Sequence, residues 1–558
     1  MRRETRISPV SNFQHNLTIT LGTRPRLGTI PALTTVRPEY NVARGTAYIT
    51  FQQIIVYLSY FLFYIVLARV LTKGQVGAVS LLSAVLAAFN AITLLALPQA
   101  ATRYISGHLG TEERGLAGSV AKTTLRLGVL IAIPASLIAL SLSPTVNTLL
   151  FPGGENYVLE LAFTFLTGTI IDLYLLYNAY FLGVGMYPQY AYVTILYVPL
   201  SRTIGVLFAL FGPSLFGISG VLGVIIGWAI GGIAALLLST YYWHGRLPQP
   251  HNYPLRPLFT FTLPLFLATL ITFSQQWGDI GVLQVRLGQL PTTGGYYIIV
   301  SSVGFLSAFW FPVANALYPA LSAAHATGDN EGVTSRLSIA FRLTNLAVLP
   351  LGVAMAAVAP TLLNIAYGPS YATTAESIPF AILTITTMFT AQAAIYASTF
   401  QAVGRTRSLL AVTLTVTILY LAWVWILAPT LGTLAGATGR ALLFSLTVYL
   451  SYRVLRSSTK TTPFKGFKYA LALAIGTGLP LLVVDQLFDL YAPGRTLLRL
   501  PVFLLVFAAS FVAVSRQFRI FKPGDFALLK DVLPHRYQPF LRRIERLILT
   551  HGLGEEKL

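Results

Sequence analysis

Of the eighteen Asp and Glu residues, only Asp172 and Asp279 fall well inside the apolar stretches of this chain, and none of the seven histidines does. Two isolated carboxylates give no general acid–base pair. Glu112-Glu113 sits in the loop-like Gly110-Thr111-Glu112-Glu113-Arg114, and Asp485 with Asp489 in a short connection. The chain has no cysteine, which removes thiol nucleophiles and thiolate metal sites, and no phosphate-binding Gly-rich loop ending in Lys-Ser/Thr. Enzyme chemistry is therefore disfavoured, ATP hydrolysis by this chain is excluded, and no cofactor is expected.

Other polar groups recur at helical spacing. Gln53, Tyr57, Tyr60 and Tyr64 follow an i, i+4, i+7, i+11 rule and share one face of a helix. Thr272, Gln275, Asp279 and Arg286 do the same, with Gln276 and Trp277 alongside. Asn90 and Asn315 lie at comparable depth in two further stretches, with Gln99 and Arg103 towards the end of the first. Polar groups in hydrocarbon face each other or an aqueous cavity, so both readings stand for the tyrosine stripe and for the two asparagines. Asp279 lies two turns from Arg286, about 10 Å along a helix. That is too far for a direct salt bridge, so Asp279 is expected to spend part of a cycle uncompensated and to couple H⁺ or Na⁺. Asp172 and Arg202, on neighbouring stretches, are expected to pair.

The elements that carry these residues are membrane spans. The chain is 55% hydrophobic and 10% charged, with a mean hydropathy of +0.69, far from a soluble globule. Helices of about 20 apolar residues are the economical use of such a sequence. Fourteen spans are read, roughly at 46–68, 77–98, 118–142, 158–182, 189–211 and 216–242, then 257–284, 295–320, 337–359, 376–400, 408–428 and 430–452, and finally 467–486 and 497–515. The organisation expected is a basic tail 1–44, a six-helix lobe 45–243, a linker 244–256, a second six-helix lobe 257–453, two additional helices within 454–515, and a basic amphipathic tail 516–558. No apolar leader-like stretch occurs in Met1–Arg44. The net charge of +20 sits in tails and short loops. That matches cations held at a membrane surface, not a nucleic-acid site.

Loops after even-numbered spans hold most of the Arg and Lys, including Arg103, Arg114, Lys122, Arg246, Arg256, Arg405 and Arg407. The positive-inside rule then puts both termini in the cytoplasm of a plasma-membrane, multi-pass protein. The halves also echo each other. Tyr177-Asn178-Ala179-Tyr180-Phe181-Leu182-Gly183-Val184-Gly185 matches Tyr396-Ala397-Ser398-Thr399-Phe400-Gln401-Ala402-Val403-Gly404 in its Tyr, Phe, Val and Gly spacing. Pro98 and Pro319, Gly110 and Gly328, Pro144 and Pro360, and Tyr157 and Tyr371 recur at similar offsets. The fold expected is an all-α polytopic membrane protein, two six-helix bundles related by a pseudo-two-fold axis along the membrane normal, plus two C-terminal helices. Two such halves rocking about a central site is the usual design for alternating access.

Two segments carry a family resemblance. Leu67-Ala68-Arg69-Val70-Leu71-Thr72-Lys73-Gly74-Gln75-Val76-Gly77 resembles the end of the first helix of polysaccharide flippases, although Gln75-Val76-Gly77 replaces that family's acidic-aromatic-Gly turn. Leu97-Pro98-Gln99-Ala100-Ala101-Thr102-Arg103-Tyr104-Ile105 is similar to its second-helix exit, echoed by Leu317-Tyr318-Pro319-Ala320-Leu321-Ser322. The resemblance covers roughly Arg44 to Arg453. It implies the multidrug/oligosaccharidyl-lipid/polysaccharide exporter superfamily, a MATE-like fold with a V-shaped cavity lined by spans 1, 2, 7 and 8, and flipping of polyprenyl-phosphate- or pyrophosphate-linked glycans. For such a substrate Arg69, Arg103 and Arg286 are the candidate anion contacts and the Tyr stripe with Trp277 the sugar platform. Arg69 and Arg286 hold equivalent places, and snorkelling to the interface is their other reading. Membrane lipids and glycan-assembly enzymes are the further partners implied. A small-molecule exporter of the same superfamily and a membrane glycosyltransferase or ligase are the competing functions. The cavity helices carry more Arg than Asp, which favours an anionic lipid-linked substrate over organic cations.

Overall fold

A computed structural model describes residues 38–248, 252–492, 494–521 and 538–549. The described residues form helices joined by short connections, without a strand among them. In chain order these are α1 (Pro38–Val70), α2 (Lys73–Leu94), α3 (Leu97–Gly110), α4 (Arg114–Leu150), α5 (Val158–Val184), α6 (Tyr187–Phe216), α7 (Gly220–Trp243), α8 (Leu255–Leu287), α9 (Leu290–Gly304), α10 (Ser307–Ala326), α11 (Asn330–Ala357), α12 (Ala359–Tyr367), α13 (Thr374–Ala402), α14 (Thr406–Leu431), α15 (Thr433–Thr459), α16 (Phe467–Tyr491), α17 (Thr496–Gln517) and α18 (Gln538–Leu549).

Thirteen of them are long and apolar enough to cross a membrane, so the chain is a multi-pass membrane protein. The count departs from fourteen at the eighth expected span. There the backbone leaves the helix at Phe305–Leu306 and divides the segment into α9 and α10. A similar break cuts the second expected span at Leu95–Ala96, where both residues take left-handed φ values of 48° and 57°. Pro98 follows on the first turn of α3; it has no N–H to continue the α2 ladder, which favours a restart there. Arg103, expected at the end of a span, therefore lies on the separate helix α3.

Helix ends are fixed by local chemistry. Thr72 and Gln75 form a reciprocal capping box at the start of α2, and Ser219 accepts from Leu222 N–H at the start of α7. Helices pack where side chains are small. A Cβ on Gly227 of α7 would lie 2.3 Å from Gly205 Cα of α6, a backbone approach that only glycine permits. Leucines such as Leu137, Leu210, Leu237 and Leu505 point outwards, exposed as lipid-facing side chains are.

One face of the helix stack carries the α1–α2, α4–α5, α6–α7 and α8–α9 connections, here named the Lys73 face. The opposite, His108 face carries the α3–α4, α5–α6 and α7–α8 connections. Asn252 and Tyr253, just before α8, are tied to α4. Arg126 donates to Asn252 Oδ1 at 2.7 Å, and Tyr253 N–H donates to Thr123 at 2.8 Å. At the Lys73 face α16 and α17 are tied to α12 through a buried set in which Arg499 reaches Asp485 at 2.9 Å and Thr361 donates to the same carboxylate. In the amphipathic α18, Arg542, Arg543 and Arg546 are exposed while Ile548 is buried. The remainder of the expected basic tails, 1–37, 522–537 and 550–558, lies outside the described residues.

Candidate functional site

The tyrosine stripe of α1 meets the other half of the chain. Tyr64 and Tyr297 of α9 share a hydrogen bond at 2.8 Å, their rings at right angles. Trp277 of α8 stacks on Tyr297 with ring centroids 6.0 Å apart. Tyr60 stacks on Tyr64 at 6.3 Å. A guanidinium closes the row: Arg202 of α6 lies 4.8 Å from the Tyr60 ring, 4.9 Å from Phe63 and 5.1 Å from Trp228. The result is a polar-aromatic seam, Arg202–Tyr60–Tyr64–Tyr297–Trp277, running from the first half into the second. Gln53 and Tyr57, farther along the stripe, are half-buried.

Arg202 does not pair with Asp172, contrary to expectation. The two side chains leave neighbouring helices in different directions. Asp172 turns to α2, where Thr93 contacts it at 2.5 Å, while Arg202 turns to α1 and α7. Its charge rests on aromatic faces, which stabilise a cation without neutralising it. No ion pair to Arg202 occurs among the described residues, and its Nε has no hydrogen-bond partner there.

Asp279 is also corrected. Its partner is Arg440 of α15, not Arg286 and not solvent. Arg440 Nε lies 2.5 Å from Oδ2 and Nη2 lies 2.9 Å from Oδ1, while Tyr296 donates to Oδ2 at 2.6 Å. Arg440 Nη2 also donates to Gln276 O at 2.8 Å. The carboxylate is fully buried and charge-compensated in this conformation, not uncompensated. Helix spacing counted only residues on the same helix, and the compensating cation arrives from another.

Of the three expected anion contacts, Arg69 is hydrogen-bonded within the protein, while the exposed Arg103 and Arg286 lie over aromatic rings. Arg69 donates to Ala366 O at 3.1 Å and Ile365 O at 2.5 Å, capping the end of α12. Arg286 sits 5.0 Å over Trp425, and Arg103 sits 4.3 Å over Phe261. Arg69 and Arg286 thus do not occupy equivalent surroundings. Gln275 donates to Thr417 at 2.7 Å, Gln276 is exposed, and Asn90 keeps a buried Oδ1 without a donor among the described residues. Asn315 lies on α10, and its side chain is outside the described set.

The halves are latched at the Lys73 face. Lys73 Nζ lies 2.6 Å from Glu376 of α13 and over the Tyr371 ring, and Thr373 also donates to Glu376. Beneath the latch α2 and α9 cross at Gly77 and Gly294, where a Cβ on Gly294 would lie 2.1 Å from Lys73 O. Sequence reasoning missed Tyr297, Arg440 and the Lys73–Glu376 pair. Tyr297 and Arg440 carried a readable signal, since each is a polar group inside an apolar stretch. The Lys73–Glu376 pair had none.

Comparison with known proteins agrees with this architecture. A family model described as "Polysaccharide biosynthesis protein" matches residues 42–325, slightly more than half of the chain. Among curated proteins none matches. Among solved structures, a lipid II flippase, MurJ, in an inward closed conformation superposes with a TM-score of 0.61 at 14% identity, covering 85% of this chain and 99% of that one. An inward-facing multidrug resistance MATE transporter of the MOP superfamily gives 0.58 at 16% identity, covering 73% and 96%. A MOP superfamily transporter from Pyrococcus furiosus gives 0.53 at 15%, covering 76% and 97%. At such identities the likeness is one of fold, and the family model identifies the kinship: the chain belongs to the polysaccharide biosynthesis protein family.

Proposed function

We propose that the chain flips polyprenyl-linked glycan precursors from the cytoplasmic to the outer leaflet of the plasma membrane by alternating access, without enzymatic chemistry of its own. The His108 face is cytoplasmic in this reading, and the Lys73 face, latched here, is the outer gate. The family match and the likeness to a lipid II flippase support a lipid-linked glycan as cargo. The observation that carries the reading is Arg202. A membrane-embedded guanidinium held on tyrosine and tryptophan faces, with no carboxylate partner among the described residues, keeps its charge available to a phosphate. Tyr60, Tyr64, Tyr297 and Trp277 then offer rings and hydroxyls to the first sugars, and the polyprenyl tail stays in lipid. An exporter of organic cations would gain nothing from that charge.

The test is flipping of a fluorescent polyprenyl-pyrophosphate glycan in proteoliposomes, with a cationic dye as the competing cargo. Arg202→Ala should slow glycan flipping about tenfold or more, the loss of one charge-assisted contact, with Arg202→Lys intermediate. Normal glycan flipping by Arg202→Ala, or dye transport by the wild-type chain in its place, would reject the reading.

A further inference from the structure

Asp172 lies midway along α5, 1% exposed, and its surroundings contrast with those of Asp279. Asp279 receives three side-chain hydrogen bonds, two of them from a guanidinium. Asp172 Oδ1 receives none among the described residues, and Oδ2 has one contact, the Thr93 hydroxyl at 2.5 Å. That hydroxyl is also 2.7 Å from Phe89 O, the carbonyl one turn earlier in α2. A threonine hydroxyl carries a single hydrogen. Phe89 O accepts only, so the single hydrogen of Thr93 serves one of the two acceptors, and a hydrogen on the Asp172 carboxyl would let both contacts stand as hydrogen bonds.

The electrostatics agree. An ionised carboxylate with one hydroxyl partner in a span is among the costliest groups a membrane protein can hold. No ion pair to Asp172 occurs among the described residues. On α2 the one charged residue is Lys73, twenty residues and about 30 Å along the helix from Thr93, engaged with Glu376. Arg103 of α3 lies over Phe261, Arg126 of α4 binds Asn252, and Lys122 of α4 stands eight residues from its Arg114 end. On α6, Arg202 is held by aromatic rings, and Tyr197 packs on Tyr174 of α5. On α7 the titratable groups are Tyr241 and Tyr242, at its far end.

We propose that Asp172 is a proton-binding site, a neutral carboxylic acid in this conformation that donates its hydrogen to Thr93 and ties α5 to the last turn of α2. Thr93 stands two residues before the left-handed break at Leu95–Ala96. Loss of the proton would leave Thr93 one hydrogen for two acceptors and a bare charge in an apolar interface. A rearrangement at the break that admits water would relieve both. The proton would thus be bound with the Lys73 face latched and released when α2 and α3 change their relative angle. That cycle rests on the transporter reading; the protonation of Asp172 does not.

Infrared difference spectroscopy of the full-length protein in nanodiscs tests the site without any glycan. At neutral pH the wild-type chain should show the C=O stretch of a protonated carboxylic acid. The band should be absent in Asp172→Asn, shifted in Asp172→Glu, and unchanged in Asp279→Asn. It should disappear as pH is raised, and exchange of Na⁺ for choline should leave it unaltered. Absence of the band, its loss in Asp279→Asn, or its appearance only when Na⁺ is withdrawn would each overturn the proposal, the last by making Asp172 a sodium ligand. Failed glycan flipping with the band intact would count against the transporter reading alone.

Discussion

Arg440 on α15 grips Asp279 on α8 with two nitrogens, Nε at 2.5 Å from one carboxylate oxygen and Nη2 at 2.9 Å from the other. Tyr296 adds a third donor, so a charge pair is held inside the second half with all its short contacts satisfied. Such a pair is worth little against a hydrophobic replacement of both partners, but its loss from one side is costly. It braces α8, α9 and α15 against one another.

From that brace follows a stability prediction. Arg440→Met should destabilise the protein by about 3–5 kcal/mol, because a buried carboxylate is left without its cation. Combining it with Asp279→Asn should recover part of the loss. The check is the unfolding midpoint of purified variants in detergent. A double variant as unstable as the sum of the singles would show that the two residues do not act as a pair.

The latch makes a conformational prediction. Gly294→Val places side-chain atoms where the Lys73 carbonyl and Gly77 now sit, 2.1 and 2.7 Å from the first added carbon. The state closed at the Lys73 face should lose population. Because the native chain lacks cysteine, Ser83→Cys on α2 provides a single label. Its reaction with an impermeant maleimide in intact cells should rise in the Gly294→Val background and stay low in the parent.

Orientation is checked at Asn156, exposed between α4 and α5 on the Lys73 face. A cysteine there should react with an impermeant reagent in intact cells. Reaction only after lysis would invert the assignment of both faces.

At the His108 face Glu113 sets a pH dependence. Hydrogen bonds from His108 and then Thr111 hold its carboxyl below the usual value. A group whose folded pKa is depressed contributes stability above its unfolded pKa and loses it as pH falls through the folded one. Thermal midpoints of the wild-type chain should therefore decline more steeply below the ordinary glutamate range than those of Glu113→Gln. Parallel profiles would remove Glu113 from the acid response.

The residues themselves determined much of this protein. Long apolar stretches can satisfy their backbone only as helices, so the multi-pass all-helical class followed from composition and period. The same rule marked Tyr60, Tyr64, Trp277, Asp172 and Asp279 as residues with something to explain, because a polar group in a span must be compensated. What compensates it was not legible. Arg440 is 161 residues from Asp279, and Tyr297 is 233 residues from Tyr64. Spacing along one helix reports a shared face and says nothing of which helix arrives opposite it. Asp172 and Arg202 look like natural partners on consecutive helices, yet one side chain turns to α2 and the other to α1 and α7, a matter of helix rotation that only packing decides. Hydropathy is continuous across the breaks at Leu95–Ala96 and Phe305–Leu306, so it hid both, and Pro98 on the first turn of α3 is the local sign of the first.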